Sequence, residues 1–160
     1  MLASLRFGRG PRVSSTDLPR TWRPLGPRIA GAVAAGVLVL MAVVLWVTFD
    51  EETRDAITPF QRGTVLAMGA GMLAAIYALI RSRVVAQAEG LTVVNGYRRH
   101  EFDWAEVIAV RLPPGAPWVT LDLSDGSTCS AMGIQGSDGE RAKAAVRELR
   151  ALVDAPPSAT

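Results

Sequence analysis

One histidine and one cysteine, His100 and Cys129, are all that this 160-residue chain offers to nucleophilic or transition-metal chemistry. A single cysteine excludes an intrachain disulfide and a cysteine-built zinc site. A single histidine removes most triads and most imidazole-based metal sites. His100 closes the run Arg98-Arg99-His100, the one basic cluster in the second half of the chain before its last helix. Guanidinium groups so placed suit an anionic headgroup or an acidic partner. In an extended segment Arg98 and His100 share one face and Arg99 and Glu101 the other. The same residues therefore also fit an ordinary hairpin surface in which an arginine pairs with Glu101 or Asp103. Cys129 falls on the inward face of its segment and reads as a small buried hydrophobe. Asp122 and Asp125 lie beside a turn, a poor place for a catalytic carboxylate pair. The sequence holds no phosphate loop, metal-ligand spacing or nucleophile elbow. It points to no catalytic, cofactor or metal site, and to Arg98, Arg99 and His100 as an anion or partner contact.

The elements that must position these residues begin with two apolar runs, residues 29–49 and 63–80, neither of which contains a charge. At about 1.5 Å per residue each reaches across most or all of a hydrocarbon core of roughly 30 Å. The first run is longer than the apolar core of a secretory signal, and no small-residue cleavage pattern follows it, so it reads as a retained span. A transmembrane hairpin over residues 29–80 is expected, with an outer loop at 50–62.

Charge is segregated around the hairpin. Residues 1–28 carry Arg6, Arg9, Arg12, Arg20, Arg23 and Arg28 against Asp17 alone, a net of +5. The loop 50–62 carries four acidic residues against Arg54 and Arg62, a net of −2. Basic flanks stay in the cytoplasm, which places both termini there and the loop outside, in a multi-pass plasma-membrane protein. Residues 81–160 have nine basic and ten acidic groups. A soluble part of net charge −1 argues against nucleic acid as the partner. Trp22 and Trp46 read as interfacial aromatics at the two ends of the first span.

Small residues recur at helical spacing, Ala32 with Gly36 and Gly31 with Ala35 in the first run, Ala67, Gly71 and Ala75 in the second. Such rows let helices approach closely in lipid. They serve first the contact between the two spans, and otherwise a homodimer seam. The leader 1–28 is rich in Gly, Pro and Arg without apolar period and is expected to lack regular structure.

Residues 81–154 change to short segments between turn signals. Strands are expected at 84–88, 91–94, 97–102, 107–112, 118–123 and 128–132, with a possible seventh at 133–135. Asn95-Gly96 and Asp125-Gly126 supply hairpin turns. Trp104 and Trp118 are read as core anchors. Ala142, Ala145, Val146, Leu149, Leu152 and Val153 form the stripe of an amphipathic helix, with Ser137 and Glu140 as its capping box. Residues 155–160 form a tail.

Antiparallel strands closed by one C-terminal helix also fit more than one small barrel. Residues 89–95, 102–107 and 123–126, followed by that helix, resemble the bacterial PH domain family of the actinobacterial low-molecular-weight protein antigen 6 type. The resemblance covers roughly residues 29–153 and includes the two preceding spans. It implies an α+β protein, a two-helix transmembrane hairpin followed by a small PH-like antiparallel β-barrel or sandwich capped by a C-terminal helix, with no catalytic residue. The basic residues with which phosphoinositide-binding PH domains line their first two strands are missing from 84–94. The expected role is scaffolding or partner binding at the bilayer, for an unknown membrane or cytoplasmic protein. The alternative is an anionic-lipid or small-anion sensor.

Overall fold

The computed structural model describes residues 18–157. Its two long helices are α1, Gly26–Thr48, and α3, Pro59–Arg81, joined across the short α2, Glu51–Ala56. Proline in the first turn suits each long helix, because that position has no intrahelical N–H partner to lose. Thr58 and Gln61 cap α3 reciprocally, and Asp50 caps α2 through the amide of Thr53. Each long helix has 23 residues, about 35 Å, and contains no buried residue. Both are long and apolar enough to cross a membrane. Lipid is the surrounding that such an exposed apolar surface satisfies. Gly31 brings the pair together: a Cβ there would lie 3.1 Å from Ile80 and 3.2 Å from Ile76. Gly36 and Gly71, by contrast, face open space.

The β module follows after one residue, Ser82. Strands β2 (Arg83–Ala86), β3 (Gly90–Asn95) and β4 (Arg98–Asp103) form an antiparallel meander. A fourth strand, β1 (Arg20–Trp22), completes that sheet in the order β1-β2-β3-β4. It pairs Arg20 with Ala86, Thr21 with Val85 and Trp22 with Val84. This strand lies in the leader that was expected to lack regular structure. Trp22 is not an interfacial aromatic; it is 9 % exposed and belongs to the core. Residues 1–17 of the leader lie outside the described residues.

The second sheet is β5 (Val107–Arg111), β6 (Trp118–Leu123) and β7 (Thr128–Gln135), in that order. β7 carries the possible seventh strand as its own continuation. It crosses β2 so closely that a Cβ on Gly133 would sit 2.5 Å from the Arg83 backbone, so only glycine fits. β4 and β5 share no ladder, and the architecture is an open sandwich, not a closed barrel. α4 (Glu140–Asp154) covers it, burying Ala142, Ala145, Val146, Leu149 and Leu152, the stripe its spacing predicts. Each buried Leu or Val contributes about 1.5–3 kcal/mol relative to exposure.

Two details differ from expectation. The helix has no Ser137 cap: residues Gly136–Asp138 form a 3-10 turn, and Gly139, at φ +58°, precedes α4. Trp118 is only half-buried and stands outside the core cluster, whereas Trp104 lies within it and donates its indole N–H to the carbonyls of Gln87 and Ala88.

Candidate interaction surfaces

Strand direction divides the module into two ends. β2 leaves the helical hairpin and β3 returns to it, so the turn between them lies at the far end and the turn between β3 and β4 at the near end. That near turn is Gly96-Tyr97, since Asn95 pairs with Arg98. It is displaced by one residue from the Asn95-Gly96 turn expected from sequence. Gly96 takes φ +59° at the first central position, the backbone of a type II′ turn. Asn95 is thereby freed to tie the two sheets, donating to the Ser130 carbonyl and accepting from the Met132 amide.

The turn is fastened to α3. The Ser82 hydroxyl accepts from the Gly96 amide at 3.0 Å and donates to the Ala78 carbonyl. The Tyr97 hydroxyl donates to the Ala74 carbonyl at 2.8 Å. Ala74 precedes the end of α3 by seven residues, about 10 Å along the axis. The Arg81 guanidinium stands 5.8 Å from the Tyr77 ring and 5.7 Å from the Tyr97 ring, within cation–π reach of both.

The predicted contact residues Arg98, Arg99 and His100 follow on β4, at the edge of the sheet, all exposed. They do not converge on one point. Arg99 pairs with Glu101. His100 lies on the other face, stacked on Phe102 with ring centres 6.2 Å apart. Arg98 alone of the three has no side-chain partner among the described residues.

A second attachment, which sequence reasoning missed, lies at α1. The Asp138 carboxylate accepts from the amides of Leu25 and Gly26, both at 3.1 Å, and so caps α1 from more than a hundred residues away in sequence. Glu148 on α4 accepts from the Trp22 indole at 3.3 Å and pairs with Arg20 at 3.1 Å. An open groove of about 370 Å³ runs between β1 and α4. The far end of the module is acidic, with Glu89, Glu101, Asp103 and Glu106 around a shallower groove of about 270 Å³.

Cys129 is buried, and burial raises its thiol above the ordinary range, since the thiolate loses hydration. Hydrogen bonds from Ser127 hold Asp125 below the usual carboxylate value, the behaviour of a turn aspartate. Among the described residues no three His, Cys, Asp or Glu side chains gather as a metal site.

The profile of the bacterial PH domain matches residues 81–152. Uncharacterised proteins of Mycobacterium bovis and Mycobacterium tuberculosis are each 37 % identical over 125 residues, covering 78 % of this chain and 76 % of the relative. This chain belongs to the bacterial PH domain family. The similarity to the mycobacterial proteins is longer than the module, so it takes in part of the chain before residue 81 as well. No solved structure matches significantly.

Proposed function

We propose that the protein is a membrane-held docking module, in which two crossing helices fix a PH-like domain against the cytoplasmic face and turn its far end toward a protein partner. The observation that carries this reading is the double attachment. Ser82, Gly96, Tyr97 and Arg81 hold the module to α3, and Asp138 and β1 hold it to α1. A domain so fastened needs no headgroup affinity to stay at the membrane. Its orientation leaves Glu89, Asp103 and Glu106 at the far end, where a partner segment bearing Lys or Arg is the complementary chemistry. The charge bias of the flanks supports the cytoplasmic side. The lipid-sensing alternative draws its support from the turn at Tyr97, whose hydroxyl bonds to α3 at Ala74 and which is followed by the exposed Arg98. Against it, Arg99 and His100 are already engaged within β4.

Photocrosslinking in native membranes tests the docking reading. A photoreactive residue replacing Glu89 or Asp103 should capture a discrete protein species, and one replacing Thr53 in the outer loop should not capture the same species. A lack of discrete adducts at both far-end positions, or the same adduct from Thr53, would sink it.

A further inference from the structure

The groove between β1 and α4 has a composition that neither attachment requires. Arg20, Thr21, Trp22 and Arg23 form one wall, and Asp138, Arg141 and Glu148 the other. Its floor includes Gly133, Ala142 and Ala145, small residues that leave the space open. The volume of about 370 Å³ lies within the range of small-ligand sites.

The electrostatics decide what the space suits. Both carboxylates in the walls are occupied. Asp138 is taken up by two backbone amides of α1, and Glu148 by Arg20 and the Trp22 indole. Arg23 and Arg141 have no carboxylate within 4 Å and no hydrogen-bond acceptor among the described residues. The lining carries Arg20, Arg23 and Arg141 against Asp138 and Glu148, a net of +1, and Arg23 and Arg141 supply the donors that no protein carboxylate holds. Their planar donor forks match phosphate oxygens two at a time.

We propose that this groove binds a phosphate-bearing anion, with Arg23 and Arg141 as its ligands. Two sources present that chemistry. Arg23 lies three residues before α1, and Asp138 touches the first amides of that helix, so a phospholipid headgroup of the leaflet that α1 enters can reach the groove. A soluble phosphate compound can reach it from the cytosol. The headgroup source rests on the reading of α1 as a membrane span; the soluble source does not. The site is separate from the acidic far end, and its occupancy does not depend on the docking reading.

The test uses the full chain in nanodiscs, in two arms. In zwitterionic nanodiscs, inorganic phosphate and glycerol 3-phosphate are titrated at low salt and followed by calorimetry. In nanodiscs containing phosphatidylglycerol, the lipid retained after gentle release is counted by native mass spectrometry. Binding is expected in at least one arm. Arg23→Ala and Arg141→Ala should each weaken it about tenfold, the scale of losing a charge-assisted hydrogen bond. Arg147→Ala, on the same helix but outside the groove, should leave it unchanged. Both groove arginines are exposed, so the variants should keep their circular dichroism and melting temperature. Arginine-dependent binding in the lipid arm alone assigns the headgroup, and in the soluble arm alone a soluble phosphate. No binding in either arm, or an equal loss in Arg147→Ala, overturns the proposal. A chain that fails to enter nanodiscs refutes the membrane reading, and the soluble arm, run in buffer, still decides the groove.

Discussion

The module meets the helical hairpin at two corners, and they are built differently. At the α3 corner the chain runs from helix to strand through Ser82 alone, and the contacts are polar and aromatic: the exposed Tyr97 and Tyr77, Arg81 beside them, and the buried Ser82 hydroxyl. At the α1 corner the chain contributes a strand and a core tryptophan before it enters the helix, and Asp138, in the turn after β7, returns to cap that helix. The first corner is a short tether reinforced by side-chain bonds to the helix. The second makes the segment before α1 part of the domain itself. Proximity in sequence secures one; a docked strand with its core tryptophan secures the other.

Substitutions can break or sharpen that contrast. Trp22→Ala should have the largest effect, about 3–5 kcal/mol of module stability, read by chemical denaturation of the full chain in detergent. Trp118→Ala, half-buried and outside the core, should cost about 1 kcal/mol. Equal losses at the two positions would show that β1 is not an integral part of the core. Asp138→Ala should come next. It frees two amides at the start of α1 and should cost about 0.5–2 kcal/mol, as helix N-caps do. Faster hydrogen exchange at Leu25 and Gly26 is the expected signature, and unchanged exchange there would remove Asp138 from the α1 corner. Tyr97→Phe should have the smallest effect, about 1 kcal/mol or less. It removes one hydrogen bond to the Ala74 carbonyl and keeps the ring beside Arg81. A loss as large as that of Asp138→Ala would mean that the α3 corner depends on its polar contacts as much as the α1 corner does.

The two corners also differ in how far they can be read from the amino-acid sequence. Alternation in residues 118–123 and the stripe from Ala142 to Leu152 each repeat over several residues, so β6 and α4 are legible, as is the PH-like order of elements. β1 has three residues, too few for any period, and sits among prolines and glycines that signal a loop. Ser137 and Glu140 have the spacing of a capping box, but the 3-10 turn at Gly136–Asp138 takes Ser137 away from α4. Asp138, the residue that does cap a helix, acts on α1, more than a hundred residues away in sequence. At the candidate contact, alternation correctly separates Arg98 and His100 from Arg99 and Glu101. The stacking of His100 on Phe102 depends on rotamers that no pattern encodes. The presence of Arg23 and Arg141 on the lining of one groove is likewise visible only once β1 has docked.

The pairing of β1 with β2 has a consequence for how the protein is made. β1 is synthesised before both apolar helices and β2 after them, so some sixty residues of hairpin must be placed before Trp22 can reach Val84. The two strands lie on the same side of a bilayer only after an even number of crossings. A chain that inserted one helix and left the other outside the membrane would put β1 and β2 in different compartments, with the core short of its tryptophan and α1 without its cap. On the reading of α1 and α3 as membrane spans, completion of the sheet requires that both helices cross or neither does. On that reading, a chain threaded otherwise keeps β2 without its β1 partner and the core without Trp22.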